Sequence, residues 1–80
     1  MEKLIIMNKL ERLTKIRTKL GLSRRELAVI SGVSQATITA LEYGKTDIYN
    51  VKLLTLVELA KALKVKVIDL VPQDIKKDIA

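Results

Sequence analysis

The chain has 80 residues, with 15 Lys+Arg against 9 Asp+Glu, giving a net charge of +6 and a pI near 9.8. That length builds one small domain around one small core, and the basic balance favours nucleic acid, an acidic protein or an anionic membrane surface as partner. Cysteine and histidine are absent, which removes disulfides, the usual zinc sites, thiol nucleophiles and the commonest general base, so neither an enzyme nor a cofactor or metal is expected.

A secreted chain of this size usually needs disulfide staples, so a cytoplasmic address is expected. Apolar runs such as Leu4–Met7 and Leu53–Val57 are far below the ~20 residues that span a bilayer. The start also lacks the length of a signal peptide's apolar region. Residues 1–30 hold eight basic and three acidic side chains, whereas 31–60 hold two and three. A basic first half beside a near-neutral middle suggests one charged face.

In chain order, Asn8-Lys9-Leu10-Glu11 has the logic of a capping box, with Leu10, Leu13, Ile16 and Leu20 as one apolar helical face behind it. Gly21 ends that helix. Ser23-Arg24-Arg25-Glu26 is a second and clearer capping box, opening a short helix through Leu27, Ala28 and Ile30 that Gly32 breaks. Ser34 then caps a third helix with Ile38 and Leu41 on its inner side, and Gly44 terminates it. Residues 45–52 read as a loop. Leu53, Leu56, Leu59, Ala60 and Leu63 form the next helical stripe. Val65–Val71 has a strand's composition, but a lone strand has nothing to pair with, so a short fifth helix is predicted, stopped by Pro72. Residues 73–80 are a polar tail that can continue as a frayed helix. The prediction is an all-α fold.

The informative segment runs from Arg24 to Tyr43. Ala28 is small where two steeply crossing helices must nearly touch, and Gly32 turns the chain sharply because positive φ costs it little. Leu27, Ile38 and Leu41 bury the inner faces, and Ser34 starts the next helix at once. The product is a helix-turn-helix whose second helix can enter a major groove.

The chain resembles the Cro/cI-type helix-turn-helix family, the five-helix lambda-repressor-like domain of phage repressors and many small regulators. The resemblance rests on Ile16-Arg17, Leu20-Gly21-Leu22-Ser23, Glu26-Leu27-Ala28, Gly32-Val33-Ser34, Thr37-Ile38-Thr39, Leu41-Glu42-Tyr43-Gly44-Lys45 and Leu59–Val65, in that order and spacing. It implies five helices with the helix-turn-helix at helices 2 and 3. The expected organisation is an extension over 1–8, the domain over 9–71 and a tail over 72–80.

By that resemblance, 34–43 is the recognition helix, with Gln35, Ala36, Thr37 and Ala40 at groove-facing positions. Glutamine suits adenine, because its carboxamide matches N6 and N7, whereas alanine and threonine offer thymine-methyl contact or a single hydroxyl bond. Ser23, Arg24, Thr39 and Lys45 are expected at phosphates. Arg24 stands where the family commonly has glutamine, and an arginine there suits phosphate or guanine. Arg17 and Glu42 match a family pair that orients the recognition helix, with part of the Arg17 guanidinium left facing phosphate.

Two features depart from the family. The loop after Gly44 is about three residues longer than usual, so no phosphate contacts carry over onto Asp47–Lys52. Val29 and Ile30 replace polar residues; they can pack under Leu4–Met7 or mark a partner surface. The function implied is a sequence-specific DNA-binding transcriptional regulator, a repressor or autoregulator reading an inverted repeat of double-stranded DNA as a homodimer. No small-molecule ligand and no membrane are expected. Phage Cro-like proteins, plasmid regulators and restriction-modification controllers match equally well. The alternative is an antitoxin-like protein-interaction module with DNA binding secondary.

Overall fold

A computed structural model describes residues 9–46 and 50–72. They form four α-helices, α1 (Glu11–Lys19), α2 (Arg24–Ser31), α3 (Gln35–Tyr43) and α4 (Leu53–Leu63), followed by one 3-10 turn at Val67–Asp69. No strand occurs among the described residues.

The two middle helices are closed by local chemistry at both ends. Ser23 Oγ accepts the Glu26 N–H at 3.0 Å while the Glu26 carboxylate accepts the Ser23 N–H at 2.8 Å, completing the capping box. That backbone hydrogen bond from Ser23, followed by the one at its side chain, holds the Glu26 carboxyl below its ordinary value. Ser34 Oγ accepts the Thr37 N–H at 3.1 Å and starts α3 in the same way. Gly32 and Gly44 end α2 and α3 at φ 78 and 75, in the left-handed region where a side chain is strained. Beyond Gly44 the Lys45 N–H reaches back to the Ala40 carbonyl at 2.8 Å.

The outer helices start differently. The first residue of α1 is Glu11, and Leu10 occupies its cap position without a side-chain bond. The Leu10 N–H instead donates to the Leu41 carbonyl at 3.1 Å, tying the start of α1 to the last turn of α3. The predicted Asn8 cap lies outside the described residues. α4 begins after Lys52, also without a side-chain cap.

Leu10, Leu13, Leu27, Ile38, Leu41, Leu59 and Leu70 are all at most 1% exposed and meet in one core. Burying each contributes roughly 1.5–3 kcal/mol. Two members of the predicted stripes fall outside it: Leu20 and Leu53 are 54% and 68% exposed. Leu20 follows the last residue of α1, where the helical period no longer aims its side chain inward, and Leu53 is the first residue of α4.

The predicted fifth helix is a single 3-10 turn. Lys64 closes α4 at φ 59, a left-handed conformation, and the Val65 N–H bonds to the Ala60 carbonyl at 3.0 Å. Only seven residues then remain before Pro72, several of them β-branched, too few to nucleate a helix that adds anything to packing. The segment seals the core instead, with Leu70 and Val71 at 0% and 2% exposure.

Candidate nucleic-acid interface

α3 separates two faces cleanly. Ile38, Leu41 and Glu42 point inward, whereas Gln35, Ala36 and Thr37 are exposed and Thr39 and Ala40 half-buried. The four predicted base-facing residues therefore share the outer side of one short helix. The Thr37 hydroxyl sits 2.8 Å from Ser34 Oγ, so the capping residue also fixes the first of the outward hydroxyls.

Two shallow grooves flank this face. One, of about 440 Å³, runs between Ala36, Thr37 and Ala40 on α3 and Thr46, Asn50 and Lys52 beyond it. The other, of about 330 Å³, lies beside the Gly32 turn and is bounded by Ser34, Thr37, Lys52, Leu54 and Thr55. Lys52 and Thr55 border both grooves. Neither was among the predicted site residues, because the long loop after Gly44 leaves the register of α4 against α3 open in the sequence. A lysine at the helix start, where the dipole disfavours a cation, was the available signal.

Among the predicted phosphate residues, Ser23 and Lys45 are exposed and Thr39 is half-buried. Ser23 and Arg24 meet at the start of α2, and Lys45 lies just past the end of α3. Arg17 differs from them in being buried and bonded within the chain. Its Nε donates to Glu42 Oε2 at 2.7 Å, its Nη2 to Glu42 Oε1 at 3.1 Å, and its Nη1 to the Leu22 carbonyl at 2.8 Å. With a side chain only 9% exposed, most of its guanidinium is turned to Glu42 and the Leu22 carbonyl, so its observed bonds are those of a helix-orienting residue.

Arg24 is engaged as well. Its Nε donates to Glu42 Oε1 at 2.7 Å and its Nη2 to the Tyr43 hydroxyl at 3.2 Å. The guanidinium carbon stands 4.9 Å from the centre of the Tyr43 ring, within cation–π range. Glu42, 1% exposed, thus accepts from two arginines. Burial pushes its carboxyl up, but hydrogen bonds from Arg17 and Arg24, with their charges, bring it below the ordinary glutamate value. The bond to Glu42, then that to Tyr43, holds the Arg24 guanidinium more firmly charged. The arrangement suits rigid presentation of one helix rather than reaction chemistry. Among the described residues no acidic cluster could hold a metal, and no helix is long and apolar enough to cross a membrane.

Val29 and Ile30 are 78% and 57% exposed at the end of α2. The segment Leu4–Met7, expected as one candidate cover for them, lies outside the described residues.

A helix-turn-helix family model matches residues 13–70 of the chain. Among solved structures, the fold is similar to the crystal structure of the restriction-modification controller protein C.AhdI from Aeromonas hydrophila, with 31% identity and a TM-score of 0.70. That match covers 88% of this chain and 98% of the other. No curated protein matches the chain.

Proposed function

Because the chain belongs to the Cro/cI-type helix-turn-helix family, we propose that it is a DNA-binding transcription regulator that occupies promoter DNA through α3. The observation that carries this reading is the two-sided α3: its inner residues are locked into the core while Gln35, Ala36 and Thr37 stand exposed on a capped helix start. Gln35 reads adenine, Ala36, Thr37 and Ala40 shape the contact to neighbouring base edges, and Ser23, Thr39 and Lys45 hold phosphates. Arg17 and Glu42 orient the helix. The likeness to a restriction-modification controller supports a regulatory role.

One short helix reads only a few base pairs, too little for a specific affinity of about 10⁻⁸ M. Two such helices about 34 Å apart reach successive major-groove faces, so the regulator acts as a homodimer on an inverted repeat and represses by occupancy. Selection of bound sites from random duplex DNA tests this. A palindromic consensus is the expected result, and recovery of no consensus refutes the reading.

The exposed Val29 and Ile30 favour a second reading, an antitoxin-like module whose main partner is a protein. Affinity capture from native extract separates the two, since the regulator returns only itself and DNA.

A further inference from the structure

α2 and α3 are joined covalently at one end, by the turn at Gly32, and the structure joins them again at the other. Arg24 is the first residue of α2, and Glu42 and Tyr43 are the last two of α3. The Arg24 guanidinium bonds to both and lies over the Tyr43 ring. Between these ends Leu27 of α2 and Ile38 and Leu41 of α3 share the core, so apolar packing seats the two helices and the far contact adds a directed tie that fixes the angle between them.

We propose that Arg24 and Tyr43 are positioning residues that set the angle of the recognition helix against α2, and so decide how well the protein tells its operator from other DNA. This deepens the proposed regulator and rests on it. Arg24 is suited to the task by its planar fork, which makes directed bonds from Nε and Nη2 at once; a lysine ammonium supplies the same charge without that geometry. Tyr43 is suited because its ring and hydroxyl grip the same guanidinium while 55% of the residue stays exposed, so little of the core depends on it. Glu42 is already answered by two bonds from Arg17. Arg24 is therefore not the sole counter-charge of the carboxylate, and its distinct effect is to tie down α2.

The test compares wild-type protein, Arg24→Lys, Tyr43→Ala and the double variant on two fluorescent duplexes, a selected operator and a scrambled sequence, over a salt series with melting curves in parallel. Arg24→Lys keeps the charge, and Tyr43→Ala removes none. Each should lower the operator-to-scrambled affinity ratio about fivefold, with scrambled-DNA affinity and salt slope unchanged, and the double variant should lose no more than the larger single effect, as residues acting through one contact do. An unchanged ratio in either variant overturns the proposal. Equal weakening on both duplexes overturns it too, making Arg24 a phosphate donor, and an operator-specific loss in Arg24→Lys with none in Tyr43→Ala makes Arg24 a base reader. If wild-type protein fails to distinguish the duplexes, it is the proposed function that falls.

Discussion

Replacing Glu42 by glutamine asks how much the buried cluster contributes to the fold. The carboxylate accepts N–H bonds at 2.7 and 3.1 Å from Arg17 and at 2.7 Å from Arg24. Glutamine keeps the shape but offers one acceptor oxygen in place of two, and turns an NH2 group towards a guanidinium. Arg17, 7% exposed, then holds a buried charge with no counter-charge from residue 42, answered by neutral acceptors alone, the Leu22 carbonyl among them. Removing one partner of a buried pair costs about 3–5 kcal/mol. Arg24 is partly exposed and can turn to water, which places the expected loss near the lower end, about 3 kcal/mol. A domain of this size holds roughly 4–12 kcal/mol in total, and the melting temperature should fall by roughly 12–24 °C. Urea denaturation followed by circular dichroism measures it. In the double variant Arg17→Met/Glu42→Gln, position 17 carries no charge to be answered, so the loss should be smaller than the two single losses added. The pH dependence has a definite sign. A folded-state value below the unfolded glutamate's, about 4.3, gives stability that is complete above that value and disappears as pH falls through the lowered one. The gap between wild type and Glu42→Gln should therefore narrow on acidification. A loss below about 1 kcal/mol at pH 7, or simple additivity, would refute the buried-charge argument.

Four further outcomes are expected. Gln35→Ala should cost about 1–3 kcal/mol on the selected operator and far less on random duplex, measured by titration on both. Lys45→Ala should weaken binding to every sequence alike and reduce the salt slope by about one. Lys64→Gly should raise stability by about 0.5–1 kcal/mol, read as a higher urea midpoint with unchanged slope, because it relieves a left-handed residue at the end of α4. Deleting residues 72–80, which include Ile75 and Ile79, should weaken the proposed dimer in sedimentation while the domain still melts cooperatively, since Leu70 and Val71 stay to seal the core.

The parts of the fold legible in the sequence are those written in local chemistry. Ser23 with Glu26, Ser34, and the glycines at 32 and 44 mark the ends of α2 and α3, and the stripe of Leu13, Leu27, Ile38, Leu41, Leu59 and Leu63 marks the core. The fifth helix failed because the left-handed turn at Lys64 carries no compositional mark, so the stretch before Pro72 read as longer than its backbone allows. Leu20 and Leu53 failed because periodicity says which face a residue occupies and not whether a neighbour covers it. In the candidate interface, the outer face of α3 follows from the position of its buried residues. The bonds of Glu42 join residues 25 and 18 positions apart, separations that no helical period encodes: the one to Arg17 was expected only through the family resemblance, and the one to Arg24 was not expected at all. Arg24 was assigned by the charge it could offer DNA, and the sequence held no sign that its Nε and Nη2 bond to Glu42 and Tyr43.

The outer face of α3 takes almost no part in holding the molecule together. Gln35 and Ala36 are exposed, and helix initiation is delegated to Ser34, one residue outside. The residues proposed to meet DNA can therefore be exchanged without disturbing the scaffold that presents them. A lineage carrying this domain can move from one target sequence to another through single substitutions, each intermediate remaining a folded protein. Divergence of address can then run far ahead of divergence of architecture.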